Sequence, residues 1–210
     1  DTGSSGAPDI VCVPRKWPFF PGADALVKMA ARPEDFLGAA LWWDERLVVV
    51  LDKYAKARHH WLVVARHRAL EEPASLKPEH APLLDHMLSV GKRWAFEHAE
   101  PSTAPFRFGF HAIPSMRQLH LHVISQDLQS VGMKNKKHWN SFATAYFRDA
   151  SAVKRQLQEA GHAGADERAA SEMLKMDLRC HRCGHCLSNF PALKVHLGVC
   201  AHLYPIDSST

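Results

Sequence analysis

The chain has 210 residues, of which 46% are hydrophobic and 23% charged, so it can bury a core and has the composition of a globular protein. Its formal net charge is +4 with histidine neutral, which excludes a histone-like protein but suits an anionic partner. No run reaches the roughly 18 apolar residues of a membrane span, and no secretory signal is visible, so we expect no membrane partner.

The predicted segments are a flexible tail at 1–13, a large domain at 14–160, a linker at 161–173, a small C-terminal module at 174–204 and a second tail at 205–210. Apolar periodicity and turn residues place the elements of the large domain. In chain order these are a helix at 23–31, two strands within 41–51, a strand at 61–65, a helix at 78–99, strands at 106–110 and 118–124, and a helix at 143–160.

The strand at 118–124 alternates polar and apolar residues. Its leucines and valine would face a core, whereas His120 and His122 would share the opposite face. Two imidazoles side by side on a rigid strand can divide labour, one attacking a phosphate while the other binds it or moves a proton. The alternative is a strand whose histidine face is simply exposed to solvent.

Two further segments suggest contacts to an anionic ligand. Asp52 ends a buried strand and is followed by a basic loop, which is a good place for ligand contacts, although a solvated turn explains it equally well. The segment 134–140 places four positive or protonatable side chains around one tryptophan, which suggests a surface that grips phosphates and stacks on bases. A solvated charged face is the alternative there. The candidate DNA contacts in this segment are Lys134, Lys136, Lys137, His138 and Trp139.

A second cluster lies near the C-terminus, where four of the five cysteines fall between residues 180 and 200. Such clustering beside histidine argues for a metal rather than for disulfides. The spacing of Cys180, Cys183, His196 and Cys200 predicts a ββα finger with one tetrahedral zinc. His202 and Cys186 are competing ligands. A finger can serve structure, protein contact or nucleic acid, and the nearby residues Arg179, Arg182 and Lys194 favour DNA.

With these features together, the sequence resembles the histidine-triad family. The segments that carry the likeness are DKYAKARHHWLVV (52–64), GFHAIPSM (109–116), LHLHVISQD (119–127) and KNKKHWNSF (134–142), followed by the finger. The resemblance implies an α+β fold, in which a histidine-triad antiparallel sheet with flanking helices is fused to a C-terminal ββα-like zinc finger.

The resemblance also implies residue roles. It makes His120 the nucleophile, His122 a contact to the phosphate oxygens and His111 an acid for the leaving group. One position departs from the family pattern: the first histidine of the triad is Gln118, which can orient a neighbour but cannot carry charge at neutral pH. The full set that the resemblance implies is His120, His122, His111 and His60 as catalytic residues, and Asp52, Lys56, Arg58, Ser115, Met116 and Gln118 as nucleotide or phosphate contacts.

The function that the resemblance implies is removal of AMP from 5′-adenylated DNA, an abortive ligation product, through a covalent AMP-histidine in DNA strand-break repair. AMP would be the product, the location nuclear, the zinc structural, and no catalytic metal is expected. Two alternatives remain at this point: a general nucleotide or phosphoramidate hydrolase with a structural finger, and a non-enzymatic module that binds DNA ends.

Overall fold

The computed structural model describes residue 22 and residues 24–200 of the chain. The predicted tails at 1–13 and 205–210 lie outside these residues, as does His202, the competing zinc ligand. Within the described part, the architecture is α+β, as predicted: an antiparallel sheet with flanking helices precedes a small ββα unit. None of the helices between residues 24 and 200 combines the length and apolar character needed to cross a bilayer.

Six strands of residues 24–200 form one antiparallel sheet in the order β1-β2-β3-β5-β4-β6. Apolar, β-branched sequences such as the run in β2 favour these strands because they pack well on a pleated surface. The register places His120 opposite Val64 and His122 opposite Leu62. The strands are β1 (Ala40–Trp43), β2 (Leu47–Leu51), β3 (His60–Ala65), β4 (Phe106–His111), β5 (His120–Ser125) and β6 (Phe147–Asp149).

One face of the sheet packs against α2 (Ala81–His98) and α4 (Ala150–Ala160). Leu119, Leu121 and Val123 are fully buried in this core. Because side chains alternate along a strand, the intervening histidines of β5 point to the opposite face. The predicted inward and outward sets of this strand are confirmed.

The opposite face is covered in two halves, by α1 (Ala25–Ala31) on one side and by α3 (Lys136–Ala143) on the other. His120 and His122 lie between these covers and are only 5% and 3% exposed. The alternative of a solvent-exposed histidine face is therefore excluded.

The prediction of one helix over 143–160 was wrong. Helix α3 ends at Ala143, the chain then forms β6, and α4 follows directly. Residues 144–147 are Thr-Ala-Tyr-Phe, a sequence with β-branched and aromatic residues, and Phe147 is buried in the core as β6 pairs with β4. The basic segment 134–140 is largely the start of α3, which Asn135 caps by accepting the His138 N–H at 2.9 Å.

The predicted linker at 161–173 was also wrong over most of its length. Gly161 ends α4 with a left-handed backbone (φ 75°), but α5 begins at Glu167 and continues to Lys175. Asp166 caps α5 by accepting the Ala169 N–H at 2.7 Å. Ala170 is buried beside Ala112 and Tyr146, so α5 packs on the domain instead of connecting loosely.

The C-terminal unit has the predicted ββα order, with β7 (Leu178–Arg179), β8 (Cys186–Leu187) and α6 (Phe190–Val199). Leu193 and Leu197 of α6 are buried in a cluster that also contains residues of α3. The finger is therefore packed against the domain that holds the six-stranded sheet rather than tethered beside it.

Candidate active site

Four histidines from three neighbouring strands meet at the centre of the sheet, and we call them the histidine cluster. His60 lies on β3, His111 ends β4, and His120 and His122 lie on β5. His122 is central: its ring centroid is 4.3 Å from that of His111, 5.0 Å from that of His120 and 5.2 Å from that of His60. Sequence analysis predicted all four as site residues, and the sheet brings them together.

One contact fixes the tautomer of His120. Its Nδ1 lies 2.8 Å from the backbone carbonyl of Gln118, and a carbonyl can only accept, so Nδ1 carries the proton. The Nε2 atom then has a free lone pair. Gln118 holds this carbonyl from a left-handed backbone (φ 82°), while its side-chain amide donates to the carbonyls of Ala65 at 2.6 Å and His67 at 3.0 Å.

A chain of hydrogen bonds fixes two more tautomers. The Lys56 N–H donates to Nδ1 of His60 at 3.1 Å, so the His60 proton is on Nε2. This Nε2 lies 2.9 Å from Nδ1 of His122 and 3.4 Å from a carboxylate oxygen of Asp52. With Nδ1 of His122 accepting, its proton is on Nε2, a buried atom without a hydrogen-bond partner among the described residues. The cluster thus offers an unused N–H donor.

Burial keeps the histidine cluster neutral. It lowers the pKa of His60 to about 4 and that of His111 to about 3. Burial is also the largest cause of the lowered pKa values of His120 and His122, and charges on neighbouring histidines lower that of His122 further. At neutral pH the site therefore presents four uncharged imidazoles.

A pocket adjoins the histidine cluster between α1 and the end of β2. Its walls are apolar, and Asp52 stands at one edge, where it also approaches His60. An apolar slot with a single carboxylate acceptor suits a flat base joined to a hydroxyl-bearing sugar. Met116, a predicted contact, lines it. The residues that complete it are Gly22, Ala25, Leu26, Met29, Leu51, Lys53, Tyr54 and Leu62.

Three predicted contacts lie in different surroundings. Lys56 is buried, its ammonium donates to the Tyr54 carbonyl, and burial lowers its pKa. Ser115 is exposed in the turn between β4 and β5. Arg58 is exposed, and its guanidinium pairs at 3.4 Å with Glu100, a residue outside the histidine cluster. The structure therefore does not bring Arg58 to the site.

The basic segment divides into exposed and buried positions. Lys134 and Lys137 are exposed, and Lys136 lies 3.8 Å from Asp177. Lys134 is close enough to Lys56 to lower its pKa, and Lys56 likewise lowers the pKa of His138, which burial lowers most. This positive surface therefore borders the active site.

Trp139 corrects the sequence prediction. It is only 1% exposed, and its indole N–H donates to the Arg179 carbonyl at 2.9 Å. It lies on the inner face of α3, where it joins the finger to the domain. A buried ring cannot stack on a DNA base, so the prediction of Trp139 as a DNA contact was wrong.

Sequence analysis missed two aromatic residues beside the histidine cluster. The Phe142 ring lies 4.7 Å from that of His111 and 5.4 Å from those of His60 and His122. Phe147 lies 6.1 Å from His122. The signal was present in the three-residue spacing of Trp139 and Phe142, which marks the buried face of a helix.

The family of the chain follows from comparison with known proteins. The family described as "Scavenger mRNA decapping enzyme C-term binding" matches residues 25–138. Aprataxin of Gallus gallus is 47% identical over 73% of this chain and 48% of its own length. The crystal structure of the aprataxin ortholog Hnt3 in complex with DNA aligns with a TM-score of 0.72 at 26% identity, covering 84% of this chain and 93% of that one.

The chain belongs to the aprataxin branch of the histidine-triad family. A protein of Arabidopsis thaliana named transcription factor bHLH140 is 43% identical over 86% of this chain but only 20% of its own length. The chain thus spans half or less of these two curated relatives.

The finger of this aprataxin-type chain matches the family described as "C2HE / C2H2 / C2HC zinc-binding finger" over residues 143–202. The predicted donors Cys180, Cys183, His196 and Cys200 lie within 4.8 Å of one another. Two of the thiols are 3.9 Å apart, close to the roughly 3.8 Å that a tetrahedral zinc with 2.3 Å bonds requires. Cys186 is exposed and is not among these donors. The donor set fits zinc.

Proposed function

We propose that this chain is a DNA 5′-adenylate hydrolase, which removes AMP from adenylated DNA ends through a covalent AMP-histidine. The observation that carries the proposal is the free lone pair on Nε2 of His120, which follows from the bond between its Nδ1–H and the Gln118 carbonyl. An imidazole that is neutral, buried and fixed in one tautomer is an activated nucleophile. The DNA complex of the aprataxin ortholog supports DNA as the substrate's carrier.

In the first step, Nε2 of His120 attacks the α-phosphorus of the 5′-adenylate. An N–P bond forms, and the anhydride P–O bond to the 5′-phosphate of the DNA breaks. The Nε2–H of His122, which has no hydrogen-bond partner among the described residues, would donate to a non-bridging oxygen as negative charge develops there. Asp52 would accept from the ribose hydroxyls, while the adjoining apolar pocket, which includes Met116, would hold the base.

The leaving group departs toward His111. Because the pKa of His111 is about 3, this residue acts in the ligand-free site as a neutral hydrogen-bond donor and not as a charged acid. An incoming phosphate anion would raise this pKa. In the second step water attacks the phosphorus and the N–P bond breaks. AMP is released, and His120 returns to its neutral form.

The surface beside the histidine cluster supports binding of the DNA strand. Lys134 and Lys137 are exposed there. Besides burial, which is the larger cause, the charge of Lys56 lowers the pKa of both His60 and His138, so Lys56 acts on the histidine cluster and on the basic segment. Cations on such a surface bind phosphates without regard to sequence. The finger, which packs on α3, carries two further exposed cations, Arg179 and Lys194. A nuclear location fits this role in DNA repair.

The zinc is assigned a structural role, because its four protein donors leave no open coordination position. The absence of a catalytic metal stays a prediction, since Asp52, His60 and His122 also offer donors within 4.8 Å of one another. We expect one zinc per chain by atomic absorption and full activity without added divalent ions. A requirement for a second metal would contradict this mechanism.

The nucleophile is tested with nicked DNA that carries a 5′-adenylate. His120→Ala should abolish AMP release while DNA binding persists, and brief reaction of the native protein followed by acid quenching should yield a His120–AMP adduct by mass spectrometry. Turnover by the variant would refute the assignment. Equal turnover of small dinucleotides and adenylated DNA would favour a general nucleotide hydrolase, and absence of any adduct would favour a DNA-end binding module.

A further inference from the structure

Arg107 of β4 ties together the segments on either side of the turn between α3 and β6. Its guanidinium forms a bidentate ion pair with Asp149, with N–O distances of 2.9 and 3.0 Å. It also donates to the backbone carbonyls of Phe142 at 3.2 Å and Phe147 at 3.4 Å. The guanidinium carbon lies 4.6 Å from the centroid of the Phe147 ring. One side chain therefore fixes the positions of both phenylalanines.

These two phenylalanines form a wall against the histidine cluster. The Phe142 ring presents an edge contact at 90° to both His60 and His122. The Phe147 ring lies 6.2 Å from His111 and 5.6 Å from the Phe142 ring. Phe142 thus contacts three of the four imidazoles, and Phe147 contacts two of these three, those of His111 and His122.

Dryness decides the state of these imidazoles, since burial is the largest cause of their lowered pKa values. The wall also limits how far the His60 ring can turn from His122, its partner at 2.9 Å. The charged or titratable groups that face the cluster from neighbouring segments are Asp52, Lys56 and Tyr146.

We propose that Arg107 is a positioning residue for the reaction: it holds Phe142 and Phe147 against the histidine cluster and so keeps the imidazoles dry, neutral and aligned. Arg107 reaches backbone carbonyls and a carboxylate, so it acts through the two rings and not on the substrate. The planar, multidentate geometry of guanidinium is needed for this, because an ammonium cannot serve the carboxylate and two carbonyls in fixed directions. The kinetic part of this inference rests on the proposed function.

The test compares Arg107→Met and Arg107→Lys with Arg148→Met. Arg148 is a matched control on β6: it is half-buried and donates to the Ala163 carbonyl at 2.6 Å, but makes none of the wall contacts described above. We expect Arg107→Met to lower kcat by about tenfold or more with KM within about twofold, and Arg107→Lys to restore only part of kcat. Arg148→Met should lower thermal stability and leave kcat near the native value.

A second readout does not need turnover. In ¹⁵N imidazole NMR spectra of the folded native protein, His60 and His111 should stay neutral between pH 7 and 5.5, because burial lowers their pKa values to about 4 and about 3, whereas Arg107→Met should bring at least one of them into titration. Unchanged kcat and spectra in Arg107→Met, or equal loss of kcat in Arg148→Met, would overturn the proposal. If Arg107→Met does not fold, the proposal is tested with Arg107→Lys and Asp149→Asn, by the same measurements of kcat and of the imidazole NMR spectra. Absence of any AMP adduct in the native protein would refute the enzymatic function and leave the NMR result standing.

Discussion

Gln118 occupies the position where the family pattern has a histidine. It is buried, and both its side-chain amide and its backbone carbonyl form hydrogen bonds within the protein. Its carbonyl sets the His120 tautomer, and its amide donates to two carbonyls, that of the buried Ala65 and that of His67. An imidazole has one N–H in its neutral form and could not serve both carbonyls. The two carbonyls are therefore served by a neutral side chain that has two N–H donors.

This view predicts the effect of an isosteric change. Gln118→Glu replaces an amide that donates twice with a carboxyl that donates once at most, beside two carbonyls that need donors. We expect a loss of about 2 kcal/mol in the free energy of unfolding, the usual penalty for a buried unsatisfied polar group, measured by urea denaturation. Gln129→Glu, at an exposed position, is the control and should leave stability unchanged.

The buried histidines also predict how stability depends on pH. In the unfolded chain they titrate near 6.5, whereas in the folded protein His60 titrates at about 4 and His111 at about 3. The unfolded state therefore binds more protons below pH 6.5, and the stability present above that pH is lost as the pH falls. Linkage gives a loss of about 2 kcal/mol for each of these two residues at pH 5 relative to pH 8.

The measurement is thermal unfolding between pH 8 and 5 for the native protein, His111→Gln and His162→Gln. The His111 variant should show the weaker pH dependence, and His162, which is exposed, should behave as the native protein. Because all three proteins have the same zinc ligands, protonation of those ligands cancels in the comparison. Parallel curves for all three would contradict a neutral, buried His111.

Among the elements, α3 has the most roles. Its N-terminal turn is close to the exposed Lys134, its inner face carries Trp139 to the finger, and its last turn brings Phe142 to the histidines. Finger docking and site closure thus depend on one helix of eight residues, and the proposed DNA contacts lie at its N-terminal end. A change on one face of this helix should be separable from a change on another.

Accordingly, the lysines near α3 should differ in their effect on DNA affinity. Lys134→Gln, at an exposed position near Lys56, should weaken binding broadly and reduce the salt slope of the affinity by about 0.9, the value for one phosphate contact. Lys136→Gln should have less effect because Asp177 already offsets its charge. Lys92→Gln on α2, which packs on the other face of the sheet, is the control for net charge. Equal slopes for all three would place the DNA elsewhere.

The elements show which parts of the fold are readable from sequence. β5 was predictable because two alternating faces have different polarity over its whole length. The stretch 134–150 was not, because helix, strand and helix change within a few residues and each is held by tertiary contacts, such as Trp139 on the finger and Phe147 on β4. Burial of the histidine face was equally unreadable, since its covers come from helices distant in sequence.

At the scale of the whole molecule, the finger and the sheet share one apolar cluster, which contains Trp139, Phe142 and Leu193. Metal ligation provides much of the folding free energy of a small finger. Loss of zinc should therefore loosen the surface of the catalytic domain that the finger covers. The cysteine spacing predicted the finger itself, but the docking contacts depend on residues of α3 that carry no metal-site signature.

We therefore expect Cys183→Ser to lose the zinc, to lower the melting temperature and to shift the fluorescence of Trp139 to longer wavelength as its indole leaves the Arg179 carbonyl. Cys186→Ser, the matched change of an exposed thiol outside the donor set, should retain the zinc and the native spectrum. Loss of zinc in the Cys186 variant would reassign the ligands. An unchanged melting temperature in Cys183→Ser would show that the finger folds independently of the domain.

The position of β6 at the edge of the sheet has a consequence for biosynthesis. All four histidines precede Phe142 and Phe147 in the chain, and β6 pairs only with β4 among the strands of residues 24–200. In a nascent chain the four histidines therefore leave the ribosome before Phe142 and Phe147, the two rings that pack against them. During that interval the histidines would not yet be enclosed, and they would take up protons as readily as free imidazoles do. We therefore expect a nascent chain that is stalled shortly after β5 to contain His120 but to be catalytically inactive.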